Sequence, residues 1–186
     1  PLPEAQRDRF LLKVLIDYPT AREETEIVRR MSVDRPVAGT VLNPRRLLDL
    51  QRAADAVFVH DAVVDYAVRL VLATRAPDSV GLSEVASFVA HGASPRASLG
   101  LVAAGRALAL LRGREYALPQ DVYDVSRDVL RHRVLLSYEA LADGVSADEV
   151  VERVVRTVVA PRVTPGQDGP VFGSVSSSLP DAAEAS

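Results

Sequence analysis

The chain has no cysteine, no tryptophan, one methionine at Met31 and one lysine at Lys13. Without cysteine there is neither a disulfide framework nor a thiolate nucleophile. The single lysine excludes a phosphate-cradling G-x-x-x-x-G-K-[ST] loop, because Lys13 sits in FLLKVLIDYP with no glycine before it. His60, His91 and His132 lack metal-ligand spacing. No serine occupies a nucleophile elbow, and no apolar strand ends in a paired Asp-Glu able to hold Mg²⁺. The 186 residues as they stand are therefore expected to catalyse nothing on their own. A formal net charge of -3 gives no general attraction to nucleic acid. No apolar run is long enough to span a bilayer, and the charged start PLPEAQRDRF is not a secretory signal. These absences together predict a soluble cytoplasmic protein with no nucleic-acid partner and no membrane insertion.

What is present is a chain 48% hydrophobic, ample for a core. PLPEAQRDR reads as a short polar helix or turn. FLLKVLIDYP, residues 10–19, is a β-branched apolar run closed by proline and reads as a buried strand. T-A-R-E at Thr20 to Glu23 is a capping box that opens a helix ending near Met31. Asn43-Pro44 opens a helix to about Ala56, and Asp61 opens another on which Val64, Val68, Val71 and Leu72 form the apolar stripe. LSEVASFVA is a loop with a possible short helix. The next helix, from Ser94, is apolar nearly all round (Leu99, Leu101, Val102, Ala103, Leu108, Leu110, Leu111) and so is expected at the centre of a bundle, with Gly113 as its stop. Pro119 and Asp121 start a helix that runs to Arg131-His132-Arg133, VLLSY is a short extended piece, and S-A-D-E at Ser146 opens a helix with valines at 150, 151, 154, 155, 158 and 159 on one face. From residue 161 the chain turns to Gly, Ser, Pro and Ala, which cannot offset their own ordering entropy, and a disordered tail is expected. A lone buried strand needs a sheet. With proline at position 1 and methionine first at 31, the expectation is a piece beginning in mid-domain.

HGASPRASLG, residues 91–100, carries the chemistry. Ser94 is a favoured N-cap and Pro95 suits the first helical position. Arg96 then lies where the helix dipole is positive, a mildly unfavourable place for a cation unless an anion is held there by the amides and the guanidinium together. A solvated arginine at an ordinary helix start is the plain reading of a bare S-P-R. The small-residue approach G-A-S-P-R-A-S before an apolar helix favours an anion site.

GASPRASLGLVAAGRALALLRGREYALPQDV resembles closely the lid domain of the MoxR family of AAA+ ATPases, and the similarity continues through DVLRHRVLLSYEALADGVSADEVVERVV. LPEAQRDRFLLKVLIDYP is similar to the end of that family's AAA+ core, and VLNPRRLLDLQRAADAVFVHDAVVDYAVRLVLATR to its first lid helices. The resemblance covers residues 2–160 in order. It implies a mainly α chain: the last strand and helix of an α/β P-loop core over 1–33, an all-α lid bundle over 34–160, and a tail over 161–186.

The resemblance further implies that Arg96 is the sensor-2 residue that reaches the γ-phosphate of ATP, and that an arginine of D-R-F acts in trans as an arginine finger on the neighbouring subunit's nucleotide. Arg9 is the candidate finger and Arg7 its rival, at a position where the family usually has an apolar residue. The full protein is then expected to be a chaperone-like remodelling ATPase that binds Mg²⁺ and ATP in a homo-oligomeric, hexameric ring, with von Willebrand factor A domain proteins as partners. The alternative is a helical protein-interaction module in which Arg9 and Arg96 are unrelated surface residues. Arg45 and Arg75 read as helix-end cations, Arg131 and Arg133 as favourable charges at a helix C-terminus, and His91 as a loop residue.

Overall fold

The computed structural model describes residues 2–33 and 35–163. They are mainly helical: α1 (Glu4–Arg7), α2 (Ala21–Ser32), α3 (Pro44–Ala56), α4 (Asp61–Arg75), α5 (Ser83–Ala86), α6 (Pro95–Leu111), α7 (Pro119–Leu130), α8 (Tyr138–Ala142) and α9 (Ala147–Thr157). The helix starts follow the caps written in the sequence. Thr20 and Ser146 form capping boxes with Glu23 and Glu149, and Asn43 accepts the Arg46 N–H at 2.8 Å. Each cap satisfies a backbone donor that the helix itself leaves open.

The buried core runs from Val57 to Val158. Val63, Tyr66 and Leu70 of α4, Leu101 of α6, Val122, Val129 and Leu130 of α7, and Val150, Val151 and Val154 of α9 are almost wholly excluded from solvent. Helices α6 and α7 approach closely because α6 is small where they meet. A Cβ on Gly100 would lie 3.3 Å from Val129 Cγ1, and one on Gly105 3.3 Å from Val122 Cγ2. Two clips tie the connecting loops: β1 (Phe58–Val59) pairs in parallel with β3 (Tyr116–Ala117), and β2 (Val89–His91) pairs antiparallel with β4 (Leu135–Leu136). Strands this short fix loops and build no core.

Three expectations are corrected. Residues 10–19 form no strand: they run as bends and irregular backbone, with Ile16 and Tyr18 exposed by 92% and 98%. A strand is made by a neighbour's hydrogen bonds, and no described strand lies beside this run. On α4 the buried residues are Val63, Tyr66, Ala67, Leu70, Val71, Ala73 and Thr74, so Val71 of the expected stripe is in the core while Val64, Val68 and Leu72 face solvent. Both stripes are apolar at helical spacing, and the one carrying Tyr66 and Leu70 takes the core. Helix α6 is central but not covered all round, since Leu99 and Leu111 are exposed by 72% and 85%. The tail expected over 161–186 lies outside the described residues from 164 onward.

Candidate functional site

The site is built where the approach to α6 crosses the end of α4. Ala93 N–H donates to Thr74 Oγ1 at 2.9 Å, and Arg75 Nε donates to the Ala93 carbonyl at 2.7 Å. Arg75 is thus a brace for the approach loop rather than a plain helix-end cation. Gly92 passes so near α4 that a Cβ there would lie 2.4 Å from the Thr74 carbonyl oxygen, which no side chain could tolerate. This bracing delivers Ser94 in extended conformation (φ -73°, ψ 169°), with its hydroxyl accepting the Arg96 N–H at 3.2 Å.

An anion does sit at this helix start, and it comes from the chain itself. The Asp8 carboxylate accepts the Ser94 hydroxyl (2.9 Å to Oδ2, 3.1 Å to Oδ1) and an Arg96 Nη1–H at 3.2 Å. Its Oδ1 also takes the Arg133 Nε–H at 3.1 Å. Burial pushes the Asp8 carboxyl up, but Ser94, Arg96 and Arg133 outweigh that and hold it below the ordinary value. Arg96 remains 58% exposed at its side chain. The guanidinium is therefore anchored on one side and open to solvent on the other.

Arg133 is the residue that the sequence reading missed. Its side chain is only 3% exposed. Nη2 donates to the carbonyls of Phe10 (2.6 Å) and Asp8 (3.1 Å), and Nη1 to those of Leu11 (3.1 Å) and Val129. Burial lowers its pKa from the ordinary arginine value, with Asp8 opposing the shift. His132 adds a ring nitrogen 3.0 Å from the Phe10 carbonyl, and burial lowers its pKa. Arg131 stays at its helix end, donating to the Arg127 carbonyl and pairing with Asp128 and Asp148. Arg133, read as a second favourable helix-end charge, is instead with His132 a receptor for the backbone of residues 8–11. Neighbouring arginines gave no signal separating the buried one from the others. Asp8 was legible only as the residue beside Arg9.

Of the two candidate fingers, Arg9 is exposed, and its side chain makes no hydrogen bond or ion pair to a described residue. Arg7 is half-buried, 3.9 Å from Glu4, and its buried Nε lacks a partner among the described residues. The structure thus brings Arg96 together with Asp8, the residue next to Arg9, and leaves Arg45 and His91 exposed elsewhere. Among the described residues no three His, Asp or Glu side chains gather as a metal centre, and no helix is long and apolar enough to cross a membrane.

Residues 81–154, which include α6 and its capped start, match the AAA lid domain family. Chaperone MoxR1 of Mycobacterium tuberculosis is 56% identical over 163 residues, which is 88% of this chain and 43% of that protein. Protein MoxR of Paracoccus denitrificans is 36% identical over 148 residues, 73% of this chain and 44% of that one. A crystal structure of a protein from Cytophaga hutchinsonii assigned as an ATPase superposes with a TM-score of 0.82 at 35% identity, covering 87% of this chain and 50% of that one. The chain belongs to the MoxR family of AAA+ ATPases, corresponding to its C-terminal part. It spans about half the length of the relatives that it matches.

Proposed function

We propose that this chain is the lid-bearing part of a chaperone-like remodelling ATPase that binds and hydrolyses Mg·ATP in a homo-oligomeric ring. Arg96 is its sensor-2 residue and Arg9 its trans-acting finger. One observation carries this reading: an exposed guanidinium at a capped helix start already grips a carboxylate. The same donors fit a phosphate oxygen, which offers more charge and more acceptor sites than a carboxylate. When ATP is bound nearby, the γ-phosphate competes with Asp8 for Arg96. After hydrolysis the phosphate leaves, and the lid is free to turn.

The relatives' length leaves room for a nucleotide-binding half carrying the Walker lysine and the acids for Mg²⁺. In this reading residues 1–33 complete that half, 34–160 are the lid and 161–186 a tail. Exposed Phe10, Val14, Ile16 and Tyr18 then lie against its sheet. Cytoplasmic location and von Willebrand factor A domain partners belong to the same proposal. The helical-module alternative expects Arg9 and Arg96 to be unrelated, whereas Asp8 links the segment of one to the helix of the other.

Arg96→Ala in the full-length ATPase tests the reading. A charge-assisted hydrogen bond contributes about 1.5–3 kcal/mol, so ATP turnover should fall roughly tenfold to a hundredfold. Unchanged turnover and affinity would remove Arg96 from the nucleotide site.

A further inference from the structure

The R-H-R corner after α7 holds more than its own helix end. Arg133 captures the carbonyls of residues 8, 10 and 11 with one guanidinium, and His132 meets the Phe10 carbonyl as well. Two residues further on, Lys13 N–H donates to the Asp128 carbonyl at 2.9 Å. The Asp8 side chain closes the frame by binding Ser94, Arg96 and Arg133 at once. Arg9 is thus flanked on both sides by fixed backbone, while its own side chain stays exposed.

Stability alone does not require this arrangement. A charged side chain 3% exposed is costly to desolvate, and well-packed apolar groups usually stabilise as much. What a planar fork with several donors supplies is a fixed geometry.

We propose that Asp8 and Arg133 are positioning residues for Arg9: the Asp8–Arg133 pair clamps the segment that bears the exposed arginine onto the start of α6, so that Arg9 and Arg96 are carried as one rigid unit. The proposal rests on the reading of Arg9 as a trans finger. It adds a consequence of its own, namely that movement of the lid in one subunit moves the group presented to the next subunit's nucleotide. Asp8 and Arg133 touch no nucleotide, so their loss should reproduce the trans defect of Arg9; Asp8→Asn also frees Arg96 from its carboxylate but leaves the guanidinium in place, so it should not reproduce the cis defect of Arg96→Ala.

The test uses full-length subunits assembled as they occur, with Asp8→Asn, Arg133→Lys, Arg9→Ala and Arg96→Ala compared side by side. Asp8→Asn keeps the shape and removes the charge. Arg133→Lys keeps the charge and removes the fork. Misplacing a catalytic group by about 1 Å costs on the order of 10²-fold, so kcat should fall by that order in both variants. The KM for ATP should be nearly unchanged in Arg133→Lys and no higher than wild type in Asp8→Asn, where the γ-phosphate loses its competitor for Arg96. Mixing separates positioning from general damage. An Asp8→Asn subunit should regain turnover beside a subunit that has Asp8 and Arg9 but lacks its own Walker lysine. Thermal midpoints are read in parallel, and if Arg133→Lys does not fold, Asp8→Asn carries the decision. Wild-type kcat in Asp8→Asn beside an inactive Arg9→Ala overturns the clamp and leaves the finger reading standing. An Asp8→Asn defect that mixing does not relieve also overturns the clamp, because the fault then lies in that subunit's own pocket. Full turnover in Arg9→Ala overturns the finger reading and the clamp with it.

Discussion

Gly92→Ala places one methyl group where the approach to α6 leans on α4. The new Cβ would lie 2.4 Å from the Thr74 carbonyl oxygen and 2.6 Å from Arg75 Cα. Both are backbone atoms, so no side chain can turn aside, and a normal contact requires the two segments to part by about 1 Å. Overpacking of this kind costs about 1–3 kcal/mol. Parting also strains the Ala93 bonds to Thr74 Oγ1 (2.9 Å) and Arg75 Nε (2.7 Å), each contributing about 0.5–1.5 kcal/mol. The expected loss is about 2–5 kcal/mol, and at roughly 2–4 °C per kcal/mol for a chain of this size the midpoint should drop by roughly 4–20 °C. Thermal and urea unfolding followed by circular dichroism measure this. Gly39→Ala is the control: nothing lies within 4 Å of its Cβ position, and the change should stay within about 1 kcal/mol. A midpoint for Gly92→Ala equal to that of the control would refute the close approach, and with it the account of how Ser94 and Arg96 are placed.

Asp121 is wholly buried and is held by Arg112, Arg114 and the Leu118 N–H. Burial pushes its carboxyl up, but Arg114, the Leu118 amide and Arg112 pull it net below the ordinary value. Its stabilisation is complete above about pH 4, where the unfolded group is ionised, and is lost as pH falls through the lower folded value. Asp121→Asn should therefore cost about 2–4 kcal/mol at pH 7, less than a fully enclosed pair because Arg112 is partly exposed, and the cost should shrink below about pH 4 in pH-resolved urea melts. His132 is depressed chiefly by burial, with Arg133 and Lys13 adding to the shift and the Phe10 carbonyl and Asp8 opposing it. Its contribution is present above about pH 6.5 and is lost as pH falls through the lower folded value, so His132→Gln should flatten the stability profile below about pH 6.5. Ser94→Ala removes both a cap and a donor to Asp8 and should cost about 1 kcal/mol, read from the same unfolding curves. The 186-residue chain alone should show no ATP turnover above a contaminant control, because Lys13 is its one lysine and follows no glycine loop.

Helix starts were the most legible part of the fold, because a cap is a local contract between a side chain and an amide two or three residues away. Thr20, Asn43, Ser94 and Ser146 all cap as their spacing implies. The anion at Arg96 was legible in kind but not in source, since Asp8 is 88 residues distant and no periodicity connects them. Arg133 was illegible for a related reason. Its partners are carbonyls of residues 8–11, and carbonyls are chemically alike at every position, so the sequence does not mark which of them an arginine will meet. The α4 stripe held at Val71 and failed at Val64, Val68 and Leu72 on competition, two apolar faces being available and packing against α6 and α9 choosing between them. The run over 10–19 failed because a strand depends on a partner that the described residues do not include.

The central claim is that Arg96 serves its own subunit's nucleotide and Arg9 its neighbour's, and subunit mixing measures that difference directly. Arg9→Ala subunits with intact pockets are combined with subunits that supply Arg9 but lack the Walker lysine, and ATP hydrolysis is followed as the ratio is varied. The account predicts restored turnover in this mixture, against a loss of about 10³–10⁵ for Arg9→Ala alone, and no restoration when Arg96→Ala takes its place. Equal rescue of the two variants, or full activity in either one unmixed, would contradict it.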